Sequence, residues 1–234
     1  AINTMVAESL DYIATRLEKE ASGSAQKVHV ATQKVIRDVI RAHGRVIFNG
    51  DNYSAEWHRE AEKRGLPNLR NSVDALSVMA RKDHVELLNR YKVLSKRELE
   101  SRQEIYLERY IKEIGIEGRL TLEMARTMIF PAAVSYQLRL AETAESLKKL
   151  GLSHCTTILE EITRSLSALQ PAMSTLEGVL SAPEDGSVPD HARHARDAII
   201  PAMVKVREIV DRLEGYVADE LWPLPTYQEM LFIK

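Results

Sequence analysis

Apolar residues recur three and four positions apart along most of the chain, which is the spacing of an amphipathic helix. The first such stretch covers residues 3–21 and is interrupted at 22–24 by two serines and a glycine. A second stretch continues to about residue 43, and its predicted inner side carries Val28, Val35, Val39 and Ile40. Only residues 45–48 favour a strand, and they are too few to build a sheet. The pattern therefore predicts an all-α fold with at most one very short strand.

Shorter helices are predicted in the next part of the chain. Ser54 has a side chain preferred at a helix N-cap, and the helix that it begins is predicted to end near Gly65. Two further short helices are expected over residues 72–80 and 83–91. This part of the chain thus continues the helical pattern without a predicted strand.

A longer helix is predicted from a capping box, in which Ser95 and Glu98 have the spacing that lets each bond the other's backbone N–H. The chain is predicted to pause near Gly115 and Gly118, because glycine weakens a helix. We place a domain boundary at this pause.

Three long helices are predicted beyond that boundary, over residues 121–150, 153–180 and 189–221, and they favour an antiparallel bundle. Each carries a proline near its middle: Pro131, Pro171 and Pro201. An interior proline removes a backbone hydrogen bond and costs about 3 kcal/mol. The pattern leaves open whether these prolines kink the helices or break them.

Composition and charge exclude several classes of protein. Hydrophobic residues make up 44% of the chain and charged residues 28%, which is typical of a globular protein. The formal net charge is -2, and neither half is strongly basic, so we expect no nucleic-acid partner. The apolar runs are too short to span a bilayer, and Cys155, the single cysteine, cannot form an internal disulfide. These features favour a cytoplasmic location without a membrane partner.

The residues that could carry chemistry do not form a recognisable site. His191 and His194 lie three apart near a charged helix start, a setting that favours solvated surface over metal binding. Cys155 directly follows His154, and adjacent residues on a helix point in different directions. No glycine-rich nucleotide loop is present in the sequence. We therefore predict no catalytic residue, no cofactor-binding residue and no metal ligand in this chain.

The C-terminal tail differs from the rest of the chain, because two prolines force an extended path through several large apolar residues. Such side chains need a surface to lie on. That surface could be the tail's own bundle, or it could be another domain or subunit, and the sequence favours neither. The candidate interface residues are Trp222, Pro223, Pro225, Tyr227, Leu231 and Phe232.

Three stretches, in this order and spacing, resemble the type III glutamine synthetases. They read NTMVAESLDYIA at 3–14, FNGDNYSAEWH at 48–58 with RGLPNL at 64–69, and WPLPTY at 222–227. The resemblance implies a parent ligase of nitrogen metabolism. Its catalytic barrel would bind Mg and ATP, join ammonia to glutamate through γ-glutamyl phosphate, and be completed between subunits of a dodecamer.

The same resemblance implies that this chain lacks the chemistry of the parent enzyme. The Phe-Glu-Phe-Arg motif of the family and the acidic metal ligands of its barrel are missing from the sequence. Residues 1–118 would be the closing helices of the catalytic domain, and residues 119–234 would be the helical extension peculiar to type III enzymes. The implied partners are the chain's own missing barrel and neighbouring subunits, and the fragment itself is expected to be inactive.

An alternative hypothesis is a stand-alone helical-bundle module for protein interaction, because amphipathic helices serve both purposes. The chain begins without methionine and already within an apolar helical pattern, at Ile2, Met5 and Val6, which favours a piece of a longer protein. If so, we expect the helices before Gly65 to expose apolar surface and to drive self-association.

Overall fold

The computed structural model describes residues 2–182, 185–225 and 227–232, with the backbone alone for Tyr227 and Gln228. The predicted all-α class is confirmed, and within these ranges no strand is formed. Residues 45–48, the one stretch that favoured a strand, begin in the 3-10 turn Gly44–Val46 and continue as irregular chain. None of the helices in the described ranges is long and apolar enough to cross a membrane.

The chain divides into two compact units, Ala1–Glu104 and Ile105–Lys234. The helices that begin in the first unit are α1 (Ile2–Ala21), α2 (Val28–His43), α3 (Ala55–Lys63), α4 (Ser72–Ser77), α5 (Lys82–Arg90) and α6 (Lys96–Met124). The last of these ends in the second unit. The two predicted helix starts are confirmed in atomic detail, because the Ser54 hydroxyl accepts a hydrogen bond from Trp57 N–H at 3.3 Å and the Ser95 capping box is formed.

The first unit has a small core. The helices α1 and α2 are joined by the ion pairs Arg16–Asp38, at 2.7 Å, and Glu20–Lys34, at 2.6 Å. Val35 of α2 is buried as predicted. The prediction that Val28 and Ile40 also lie on an inner side is wrong, because both side chains are exposed.

The second unit is a bundle of three long helical segments. The first continues from α6 through a π-helical turn, Ala125–Ile129, into α7 (Phe130–Lys149), and the second is α8 (Thr157–Leu180). The third joins α9 (Val188–His194) through a second π-helical turn, Ala195–Ile199, to α10 (Ile200–Glu214). A 3-10 turn, Asp219–Leu221, and the short helix α11 (Tyr227–Leu231) follow.

Side-chain contacts establish how these segments run. Arg126 of the first π turn pairs with Glu177 near the end of α8, and Gln137 of α7 donates to Thr163 near the start of α8, so these segments are antiparallel. Fully buried aliphatic side chains from α8 and α10 form the centre of the core: Ile162, Leu169, Leu176, Val206, Ile209 and Leu213. The predicted antiparallel bundle is therefore present.

The predicted pause at Gly115 and Gly118 is wrong, because α6 runs through both glycines without interruption. Gly118 serves a different purpose. A Cβ atom there would lie 2.9 Å from Leu180 Cδ2 and 3.1 Å from Ile199 Cγ2. The missing side chain allows the helical segments to approach closely. As a consequence, the first long helix of the bundle does not begin near residue 121 as predicted.

The prolines do not break their helices. Pro131 and Pro201 are each the second residue after a π-helical turn, whereas Pro171 lies inside regular α-helix. A π turn moves the preceding carbonyls, which relieves the clash between the proline ring and the carbonyl four residues earlier. Both π turns have the same sequence pattern, Ala-Arg-x-x-Ile-x-Pro-Ala, at residues 125–132 and 195–202. This internal repeat was not predicted, although it is visible in the sequence.

Candidate functional site

The first half of α1 exposes a row of apolar side chains. Ile2, Val6 and Leu10 are 76%, 52% and 62% exposed, and Ile13 belongs to the same row. Their spacing of three and four places them on one side of the helix. We call these four residues the α1 apolar face. Aliphatic side chains are usually buried, and grouped exposure of this kind marks an interaction surface.

Other parts of the first unit share this exposure. On α2 the side chains of Val30, Ile36 and Ile40 are exposed, and so are Val46 and Ile47 after it. The predicted exposure of apolar surface before Gly65 is therefore present. The sequence predicts an amphipathic helix here, but the predicted interface residues lie only in the C-terminal tail. The signal that could have identified them is the spacing of apolar residues along α1.

The tail divides into two parts. Leu221, Trp222 and Leu224 pack against the core of the second unit, with Pro223 half-buried beside them. This part of the tail therefore lies on its own bundle, which is one of the two alternatives that the sequence left open. An ion pair between Arg139 of α7 and Glu220 connects α7 to the residue just before this part of the tail.

The end of the tail remains exposed. Leu231 and Phe232 are 73% and 67% exposed, Met230 is also exposed, and Pro225 is exposed between the two parts. The side chain of Tyr227 lies outside the described residues. The six predicted interface residues thus do not form one surface, and the role of each at an interface stays a prediction.

The two histidines that suggested a metal site lie at the start of the third segment. His194 Nε2 is 2.8 Å from the carbonyl oxygen of Val179 and donates to it, whereas His191 Nε2 is buried and has no hydrogen-bond partner within the described residues. No group of three or more histidine, cysteine, aspartate or glutamate side chains arranged for a metal ion occurs in the part of the chain that the structure describes. The expectation that these two histidines lie on solvated surface is wrong, because both are half-buried and the Nε2 atom of His191 is fully buried.

Cys155 is an exposed thiol in the connection between α7 and α8. Its Sγ lies 3.1 Å from Thr157 Oγ1, and hydrogen bonds from the side chain and backbone of Thr157 lower the pKa of the thiol. A lowered pKa increases the thiolate fraction. On its own this contact makes a polar turn before α8 and does not assemble a nucleophilic site.

The sequence of the chain is similar to proteins of one known family. The family described as glutamine synthetase C-terminal domain matches residues 31–148. The type-3 glutamine synthetase of Dictyostelium discoideum is 35% identical over all of this chain. The glutamine synthetases of Butyrivibrio fibrisolvens and Bacteroides fragilis are 30% and 29% identical over 94% and 100% of it.

The chain spans only about a third of the length of these relatives, with coverage of 33%, 32% and 33% in the same order. The family match covers half of the chain, and the similarity to the relatives extends over nearly all of it. The chain therefore belongs to the glutamine synthetase C-terminal domain family, as a C-terminal region of the type III kind.

Proposed function

We propose that this chain is a structural and assembly part of a type III glutamine synthetase and is not catalytic on its own. The whole enzyme would join ammonia to glutamate with ATP and Mg, as a homo-oligomer of the cytoplasm working in nitrogen metabolism. Residues 1–118 would complete the catalytic domain, and residues 119–234 would form the helical extension. The observation that carries the proposal is the α1 apolar face.

Physical reasoning supports an assembly role for that face. Leaving an aliphatic side chain in water forgoes about 1.5–3 kcal/mol compared with burying it fully. Ile2, Val6 and Leu10 lie together on one helix and are all more than half exposed. A partner that covers the face would recover part of this free energy. The relatives named glutamine synthetase are about three times as long as this chain, which supports the missing catalytic part as that partner.

The first test is the activity of the chain alone. We expect the purified chain to show no ATP-dependent γ-glutamyl transfer with Mg and glutamate present. Turnover above that of a matched blank, surviving further purification, would contradict the proposal.

The second test is binding to the rest of such an enzyme. The probe is the part of the Dictyostelium discoideum type-3 glutamine synthetase outside its matched third. We expect a complex on size-exclusion chromatography that Leu10→Glu disrupts, because a charge cannot be buried unpaired in an apolar interface. Leu138→Glu is the matched control, since Leu138 is a similarly exposed leucine of α7. Equal binding by both variants would count against the α1 apolar face as the contact.

A further inference from the structure

A cleft on the second unit lies between α6, the end of α8 and the start of the third segment, and its volume is about 300 Å³. Arg119 and Lys112 line it from α6, and His191 lines it from α9. Gly115 provides part of the floor. A Cβ atom there would lie 3.5 Å from Arg119 Nη1, so the guanidinium group occupies the space that a larger residue would fill.

Two nitrogen groups in this cleft have no hydrogen-bond partner among the residues that the structure describes. His191 Nε2 is buried, and across the described ranges nothing accepts or donates a hydrogen bond to it. Arg119 is exposed, and it forms no hydrogen bond or ion pair with any described residue. A buried polar atom without a partner costs free energy, and native proteins satisfy nearly all of them. An added acceptor at His191 Nε2 would remove that cost, and the guanidinium group of Arg119 lines the same cleft.

The other charged groups of the cleft restrict what that acceptor can be. Asp190 is already used, because it accepts hydrogen bonds from the backbone N–H and hydroxyl of Ser187 and pairs with Arg193. Asp185 also lines the cleft and carries a negative charge. Lys112 supplies a positive charge but is partly offset by Glu108, 3.5 Å away. A ligand with one negative charge fits this balance better than a ligand with two.

The remaining wall is apolar and is formed by Val179, Leu180 and Ile199. Arginine presents a planar pair of donors that matches a carboxylate. We propose that the cleft binds a small molecule with one carboxylate and an apolar body. The carboxylate would lie against Arg119 and His191 Nε2–H, and the body against the aliphatic wall. This site is independent of the α1 apolar face and of the assembly role.

Benzoate is a suitable probe, because it combines a single carboxylate with an apolar ring. Titration into the full chain, followed by NMR of the histidine ring nitrogens and by calorimetry, should give saturable millimolar binding that shifts the His191 signal. Benzamide, which has the same shape without the charge, should bind at least about tenfold more weakly. Inorganic phosphate should not compete, since it lacks the apolar body.

Arg119→Gln should weaken benzoate binding by about tenfold or more, because a charge-assisted pair of hydrogen bonds is lost. Arg212→Gln is the matched control, since Arg212 is also an exposed arginine without an ion pair to any described residue, and it should bind as the native chain does. The His191→Phe variant removes the imidazole nitrogen that would contact the carboxylate, and it should likewise weaken benzoate binding. Absence of saturable binding, equal affinity of the two arginine variants, or tighter binding of phosphate than of benzoate would each overturn the proposal.

Discussion

Gly118 shows how a single missing side chain decides the packing of the bundle. The sequence suggested that it would interrupt a helix, since glycine is a poor helix former. In the structure the helix continues, and the position is occupied by neighbouring side chains from α8 and the second π turn. The prediction failed because a weak local preference was overridden by tertiary packing. The contact itself could not be predicted without knowing which helices meet.

Substitution of the two glycines of α6 should therefore give opposite results. Gly118→Ala would place its Cβ 2.9 Å from Leu180 Cδ2 and 3.1 Å from Ile199 Cγ2, so both side chains must shift. We expect overpacking of this kind, which costs about 1–3 kcal/mol, to outweigh the gain of up to about 1 kcal/mol in helix propensity. Gly115→Ala meets only Arg119 at 3.5 Å and should raise stability by up to about 1 kcal/mol through better helix propensity. Urea denaturation of both variants would measure the difference. Equal stability of the two would contradict close packing at Gly118.

Asp190 should make the stability of the third segment depend on pH in the acid range. Hydrogen bonds from the Ser187 hydroxyl and backbone, followed by the pairing with Arg193, lower its pKa from 3.8 to about 2. The carboxylate therefore contributes stability that is complete above 3.8 and is lost as the pH falls through about 2. NMR titration of the Asp190 carboxyl carbon should show the low midpoint, and Ser187→Ala should raise it. A native midpoint near 4 would be inconsistent with this capping box.

At the scale of helices, the three prolines occupy two different settings. Pro171 lies in regular α-helix, while Pro131 and Pro201 follow π turns. All three rings are exposed, so replacing them removes little packing. Pro171→Ala should therefore stabilise the chain by about 1–3 kcal/mol, and Pro131→Ala and Pro201→Ala should change it less. Thermal unfolding of the three variants would rank them, and a larger gain at Pro201 than at Pro171 would refute the role given to the π turn.

The two parts of the tail should respond differently to truncation of one aromatic residue. Trp222 packs against the core of the second unit, so Trp222→Ala should lower stability by about 2 kcal/mol. Phe232 is 67% exposed, and Phe232→Ala should leave stability unchanged. Chemical denaturation of the two variants provides the comparison. If both substitutions had the same effect on stability, the division of the tail would be wrong.

Helix positions were predicted well where local chemistry decides them. The Ser54 and Ser95 starts depend on side chains that bond their own backbone a few residues on, and that information is local. The π turns were not predicted, since their proline and apolar pattern fits a kink or a break equally well. The exposed α1 apolar face was visible as a stripe. The pattern of this sequence does not identify the surface that would cover it.

For the whole molecule, the exposed apolar side chains of the first unit should control its behaviour in solution. We expect the chain to self-associate as its concentration rises, because contact between copies removes apolar surface from water. Val6→Ser combined with Leu10→Ser should reduce this association, and Leu138→Ser should not, although Leu138 is also exposed. Light scattering over a concentration series would measure it. A native chain that stays monomeric at high concentration would contradict the expectation.

The two π turns have a consequence for the tolerance of the bundle to insertion and deletion. One residue added to a helix rotates everything after it by about 100°. A π turn accommodates such an added residue locally. Buried residues therefore still recur every fourth position, at Ala125 and Ile129 in the turn and at Ala133 in α7. Loss of one residue anywhere between 125 and 129 would therefore turn this stretch into regular α-helix and leave the rest of α7 facing the core. The cost would be the clash between the ring of Pro131 and the carbonyl four residues earlier, which the π turn relieves.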